Sequence, residues 1–204
     1  MKTIGVAQYF YHCNGEDLPI RDILNKNGAG SKTEPHYENM TENWCTQCLN
    51  VRMKSANRDK VDYLFLMTRY RKSGHKLNGE LIVVGYLKRA KESRWIELSQ
   101  NIPSGATPYG NDKDNCGFFA GDPKESKFVN VEDGYVLKGI GNARWVYFID
   151  EPLGKKILKK LESGENITNK LIKRASELTK EAGITNPYNK NTKKNANRPS
   201  SGRC

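Results

Sequence analysis

The chain has 204 residues, 36% of them hydrophobic and 28% charged, which suits one ordinary domain with a real core plus some extra, and excludes both two comfortable domains and a wholly disordered polymer. Its 34 Lys and Arg against 23 Asp and Glu give a net charge of +11, which favours polyanionic partners, nucleic acid first, with a lysine-rich surface serving solubility as the alternative. No apolar run approaches membrane-spanning length, and "MKTIGVAQYFYHCNG" lacks the apolar core and cleavage site of a secretory leader; the expectation is a cytoplasmic protein with no membrane partner, whose five cysteines stay reduced.

In chain order, "TIGVAQYFY" (residues 3–11) reads as an opening strand, rich in β-branched and aromatic residues. A polar stretch follows to about Asn43, read as a long loop over residues 14–43 with one short helical turn at "PIRDILNK". A loop of that length is functional, mobile or fastened by something. From Val61 the runs "VDYLFLMT", "ELIVVGYLK", "RWIEL", "KFVNVE", "GYVLKG" and "RWVYFI" succeed one another between Gly, Asn, Ser and Pro clusters, predicting at least six short strands. "LIVVGYL" is nearly continuous and fits a strand buried on both faces, whereas "KFVNVE" alternates and fits one that is half exposed.

After Asp150 the period switches. Leu153, Ile157, Leu158 and Leu161 form one stripe while Lys155, Lys156, Lys159 and Lys160 take the other side, predicting an amphipathic helix stopped at Gly164. A second helix is expected from Thr168, a suitable N-cap, with Leu171, Ile172, Ala175 and Leu178 inward and Gly183 at its exit. Residues 185–204 hold five Lys or Arg and no acid and read as a disordered basic tail. The expected fold is α+β: one domain over residues 1–184, built on a small β-barrel or a strongly curved mixed sheet, with two C-terminal helices.

Several constellations bear on chemistry. Cys45 and Cys48 in "NWCTQC" suit a redox centre only if a strand leads into them and a helix follows; the preceding "YENMTEN" predicts no strand. A structural zinc would need four donors, for which Cys13, Cys45, Cys48 and His12 are the candidates, with His36 in the same polar stretch; partly buried, unmetallated thiols are the alternative. "GAGSKT" and "GYVLKGIGNA" lack the spacings of nucleotide-binding loops. Asp114, Asp122, Glu125 and Lys127 could hold a divalent cation for metal-assisted hydrolysis, although turn chemistry accounts for an Asp/Gly/Pro-rich stretch equally well. Trp44 and Trp95 stand beside hydrogen-bonding or cationic neighbours, as a pocket for an unstacked base requires, while Trp145 in "RWVYFI" reads as core. Cations cluster in "RYRKSGHK" (Arg69, Arg71, Lys72, His75, Lys76) and "KRAKESR" (Lys88, Arg89, Lys91, Arg94), where they could position a phosphate backbone or simply face solvent.

Residues 44–90, "WCTQCLNVRMKSANRDKVDYLFLMTRYRKSGHKLNGELIVVGYLKRA", run from a Cys-containing loop through a basic segment, an Asp and an apolar strand to a Gly-containing loop and "GELIVVGYL". In this order they resemble the nucleotide-modification-associated domains of the PUA-like superfamily, relatives of EVE, ASCH and YTH modules. The resemblance extends in organisation over residues 3–151 and departs in the elongated loop at 14–43. It implies a small β-barrel that holds a flipped base, often modified, in an aromatic-lined pocket, with DNA before RNA as partner and a restriction or modification enzyme nearby. The resulting expectation is a nucleic-acid-binding module in which Trp44 and Trp95 stack on the base, Arg69, Arg71, Lys88 and Arg89 contact phosphates, and the tail adds non-specific affinity. A metal-dependent enzyme acting on nucleic acid or nucleotides, such as a nuclease, is the alternative, and a thiol redox catalyst the third.

Overall fold

The structure, a computed structural model, describes residues 2–9, 18–20, 37, 40–45, 61–91, 93, 116–138 and 146–181. Eight strands and two helices fall within them. β1 (Thr3–Tyr9), β3 (Tyr63–Arg69), β4 (Leu81–Lys88), β6 (Lys127–Phe128), β7 (Tyr135–Val136) and β8 (Val146–Asp150) build one mixed sheet, while β2 (Thr41–Cys45) and β5 (Cys116–Ala120) form a separate two-stranded ribbon. The helices are α1 (Glu151–Ser163) and α2 (Thr168–Glu181).

Across the main sheet the order is β6, β4, β3, β1, β8, with β7 beside β6 on the same edge of β4. β1 and β3 are parallel; every other pair is antiparallel. The α+β class and the two C-terminal helices are as expected. Of the two sheet forms expected, the described strands adopt the mixed sheet and do not close into a barrel: β8 ends one side and β6 with β7 the other.

The hydrophobic pattern explains the layering. Leu64, Leu66, Ile82, Val84 and Leu87 project to one face, where α2 covers them with Leu171, Ala175 and Leu178. Phe65, Met67, Leu81, Val83 and Tyr86 project to the other, under Ile157 and Leu161 of α1. β3 and β4 are therefore buried on both sides, as the unbroken "LIVVGYL" run predicts. Each fully buried aliphatic side chain here contributes about 1.5–3 kcal/mol relative to exposure.

One irregularity sets the register. Leu66 pairs with Gly85 and Met67 with Val83, so Val84 is the extra residue of a β-bulge. The bulge reverses the alternation along β4: Val83 and Tyr86 share the α1 face although three residues apart. Glycine is required at 85 because a Cβ there would run into the Phe128 ring and stand 2.7 Å from the Lys127 carbonyl.

The two sheet edges differ. α1 starts beside β8, where Asp150 Oδ1 accepts a hydrogen bond from the Leu153 amide at 2.9 Å, and it crosses to the far edge, where Lys127 Nζ donates to the Glu162 carbonyl at 2.8 Å. The chain then wraps that edge. Ile167 N donates to Phe128 O at 2.9 Å and Phe128 N donates to Thr168 Oγ1 at 3.1 Å, which places α2 on the opposite face from α1 and occupies the β6 edge. β8 has no second strand partner among the described residues.

Two sequence readings need correction. β2 occupies Thr41–Cys45, so a strand does lead into Cys45, and the stretch read as loop to residue 43 ends in regular structure; its partner β5 is remote in sequence, which is why the polar "TENWC" carries no local strand signal. "KFVNVE" and "GYVLKG" are one edge line along β4, interrupted by a 3-10 turn at Val131–Asp133. "RWVYFI", read as one of the short strands, is one, β8, and it takes the open edge among the described strands. The "RWIEL" run, most of "PIRDILNK" and residues 185–204 lie outside the described residues.

Candidate functional site

The candidate cations fall at two ends of one hairpin. β3 and β4 are joined by residues 70–80, a turn held by backbone bonds from Tyr70 N to Glu80 O at 3.0 Å and from Gly79 N to Tyr70 O at 2.7 Å. Gly79 sits at φ +86°, where only glycine is comfortable. Arg69 Nη1 donates to the Gly79 carbonyl at 2.7 Å, so this cation braces the turn that it flanks. His75 Nδ1 accepts from the Leu77 amide at 3.2 Å, which leaves the proton on Nε2 to donate to Glu132 Oε1 at 2.9 Å. The hairpin is thereby fastened to the 3-10 turn, with Arg71 and Lys76 exposed at its tip.

Lys88 and Arg89 stand at the other end. Lys88 Nζ lies 4.2 Å from the centroid of the Tyr63 ring. Arg89 Nε donates to the Val61 carbonyl at 2.6 Å, and its guanidinium lies 5.3 Å from the Phe119 ring centroid. Both are half-buried and join the strand ends to the ribbon, whose Gly121 forms a bridge with Arg89. Tyr86, beside Tyr63 at a ring separation of 5.6 Å, has its hydroxyl pKa raised, first by burial and then by the Glu162 carboxylate. Arg69 pairs with Leu81 and Tyr63 with Lys88; six residue steps along β3 at about 3.3 Å put the two cation sets roughly 20 Å apart. They do not converge on a single pocket.

Of the predicted stacking residues, Trp44 lies in β2 opposite Gly117, a register partner without a side chain; Trp95 lies outside the described residues, as do Trp145, Arg94, Cys13, His12, His36, Cys48 and Asp114. Cys45 is paired in register with Cys116. No group of three His, Cys, Asp or Glu able to hold a metal occurs among the described residues. The acidic stretch has local duties. Asp122 Oδ1 accepts from the amides of Lys124 at 2.8 Å and Glu125 at 3.3 Å, an Asx turn, and Lys127 is engaged at the C-terminal end of α1.

Sequence reading missed the most exposed aromatics among the described residues. Tyr147 and Phe148 on β8 are 36% and 42% exposed, the large hydrophobic side chains that stand out at the surface. The run reads as a strand, and only the strand order reveals it as an edge. Five residues after β8 begins the lysine face of α1, with Lys155, Lys156, Lys159 and Lys160 all exposed. Lys155 pairs with Glu151 at 2.8 Å, holding the Glu151 carboxyl below its ordinary pKa through that hydrogen bond and charge. Lys156, Lys159 and Lys160 have no ion pair among the described residues. An unpaired sheet edge that carries Tyr147 on the α1 face and Phe148 on the opposite face, and that continues into a helix with three unneutralised cations, is among the described residues the surface best equipped to meet a ligand that is both flat and anionic. No protein family's model matches this sequence, and no curated protein or solved structure matches it either.

Proposed function

We propose that the protein is a nucleic-acid-binding module that stacks a base, modified or unmodified, on exposed aromatic side chains and holds the phosphate backbone with lysines. The observation that carries this is the exposure of Tyr147 on the α1 face of an open edge strand that leads directly into the lysine-bearing helix, with Phe148 exposed on the other face. Base–aromatic stacking contributes about 1–3 kcal/mol per base and needs a ring accessible from solvent. Phosphate contact needs cations not already neutralised, and Lys156, Lys159 and Lys160 meet that condition. The chain's net charge of +11 adds long-range attraction, and the resemblance of residues 44–90 to nucleotide-modification-associated domains agrees with a base-recognising role. Arg71 and Lys76 on the hairpin tip offer a second contact to the same strand. No helix among the described residues is long and apolar enough to cross a membrane.

The test is fluorescence anisotropy with labelled single-stranded oligonucleotides, with and without modified bases, on the wild type and a Tyr147→Ala/Phe148→Ala variant. Stacking on either ring predicts a loss of at least about fivefold at constant salt. Equal affinity of the two proteins, with circular dichroism unchanged, would remove Tyr147 and Phe148 from the site.

A further inference from the structure

We infer that β8 pairs with β8 of a second copy of this chain, antiparallel across a twofold axis at Phe148, and so joins two main sheets into one. The Glu151 amide donates to Lys2 O at 3.0 Å and points toward β1. Along a strand in an antiparallel pair, the N–H and C=O groups alternate sides from one residue to the next. Ile149 and Tyr147 therefore turn theirs to β1, whereas Asp150, Phe148 and Val146 turn theirs to the open side, where no strand pairs with them among the described residues.

The two edges of the sheet are not equivalent. On the β4 side, β6 and β7 have two residues each, a 3-10 turn separates them, and the chain between α1 and α2 is bonded to β6. Short, interrupted and covered strands are how an edge is kept from pairing. β8 has none of these devices. It runs five residues, Val146–Asp150, without proline or lysine, and the irregularity in its ladder lies in β1. Exposed rings stand on both of its faces, Tyr147 toward α1 and Phe148 opposite. Such a strand is built like an interior one.

Self-complementarity identifies the occupant. The twofold pairing that uses all five residues of both strands is centred on Phe148. It sets the outward groups of Phe148 against those of the second Phe148, and those of Asp150 against Val146, for about six main-chain hydrogen bonds. In the same register Phe148 meets its own copy on one face, and Tyr147 meets Ile149 of the second copy on the other, aromatic–aromatic and aromatic–β-branched pairs that stabilise sheets. Like charges are kept apart, because α1 leaves β8 for the far edge of its own sheet and carries Lys156, Lys159 and Lys160 away from the axis. Area sets the strength. One five-residue strand and two part-exposed rings per copy fall short of the about 1,200 Å² that a stable dimer buries. The pair therefore forms at high protein concentration, and with a net charge of +11 on each chain it strengthens as salt screens the repulsion. The inference rests on the main-chain edge and stands whether or not the rings also stack on a base.

The experiment uses the full-length reduced protein without nucleic acid, from about 10 μM to about 1 mM in about 0.5 M salt. Sedimentation equilibrium gives the mass, and amide hydrogen exchange read by NMR reports on β8. The expected mass climbs with concentration from one chain toward two and stops there, because a twofold contact is closed. The Phe148 and Asp150 amides become at least about fivefold better protected at the top of the range, while those of Tyr147 and Ile149, bonded to β1 throughout, change little. Phe148→Lys, which opposes two ammonium groups at the axis, moves half-association at least about tenfold higher in concentration. A chain that stays monomeric over the whole range overturns the proposal. So does growth beyond two chains, a dimer whose Phe148 and Asp150 amides exchange as in the monomer, or an association that Phe148→Lys leaves unchanged. Mass and exchange are read on the wild type, so a misfolded variant does not obscure them, and failure here leaves the base-stacking reading to its own test.

Discussion

Replacing Lys156, Lys159 and Lys160 together by Ala tests whether the outward face of α1 contacts phosphate. The fold should survive, because all three side chains are exposed and Ala is the best helix former, while Ile157 and Leu161 keep the buried stripe intact. Each phosphate neutralised on a single strand contributes about −0.7 to the slope of log K against log salt. Three lost contacts should therefore flatten the slope by about 2. Between 50 and 200 mM salt, a fourfold change, the wild type would lose about 16-fold more affinity than the variant. Anisotropy titrations at four or five salt concentrations, with the same oligonucleotide and with residues 185–204 present in both proteins, measure it. Lys155 is left in place because it is paired with Glu151. An unchanged slope would refute the assignment of these lysines to phosphate, and so would a uniform affinity drop at every salt concentration.

Two further predictions concern the frame that carries the site. Gly85→Ala forces a methyl group against the Phe128 ring and the Lys127 carbonyl; since backbone must move, urea denaturation should show a loss of about 2–3 kcal/mol, and an unchanged midpoint would discredit the bulge as drawn. Thr68 Oγ1 is buried without a hydrogen-bond partner, so Thr68→Val, which removes an unsatisfied hydroxyl, should raise stability by about 1 kcal/mol; a loss of similar size would mean that the hydroxyl is satisfied in solution.

Where elements are defined by their own neighbours, sequence reading placed them well. The β3 and β4 runs, the stripe of Ile157 and Leu161 opposite four lysines, and the position at which α2 starts follow from periodicity, which acts over a few residues, although the Thr168 hydroxyl accepts from the Phe128 amide and does not cap the helix. The ribbon was illegible for the opposite reason: "TENWC" becomes a strand by pairing with residues 116–120, and such a partner leaves no periodic trace. The same holds for the cations. Nothing in "RYRKSGHK" and "KRAKESR" tells that strand length separates Arg69 from Lys88, or that Arg89 is spent on Val61 and Phe119.

Composition and periodicity by themselves determined the basic character, the α+β class and the two C-terminal helices, because charge is a sum over residues and amphipathicity is local. The tertiary structure alone decided that β8 is an open edge with Tyr147 and Phe148 at the surface, that α1 and α2 lie on opposite faces, and that Cys45 pairs in strand register with Cys116. Strand order and register are agreements between distant segments, fixed by which hydrophobic faces can be buried together, and a single segment does not carry them.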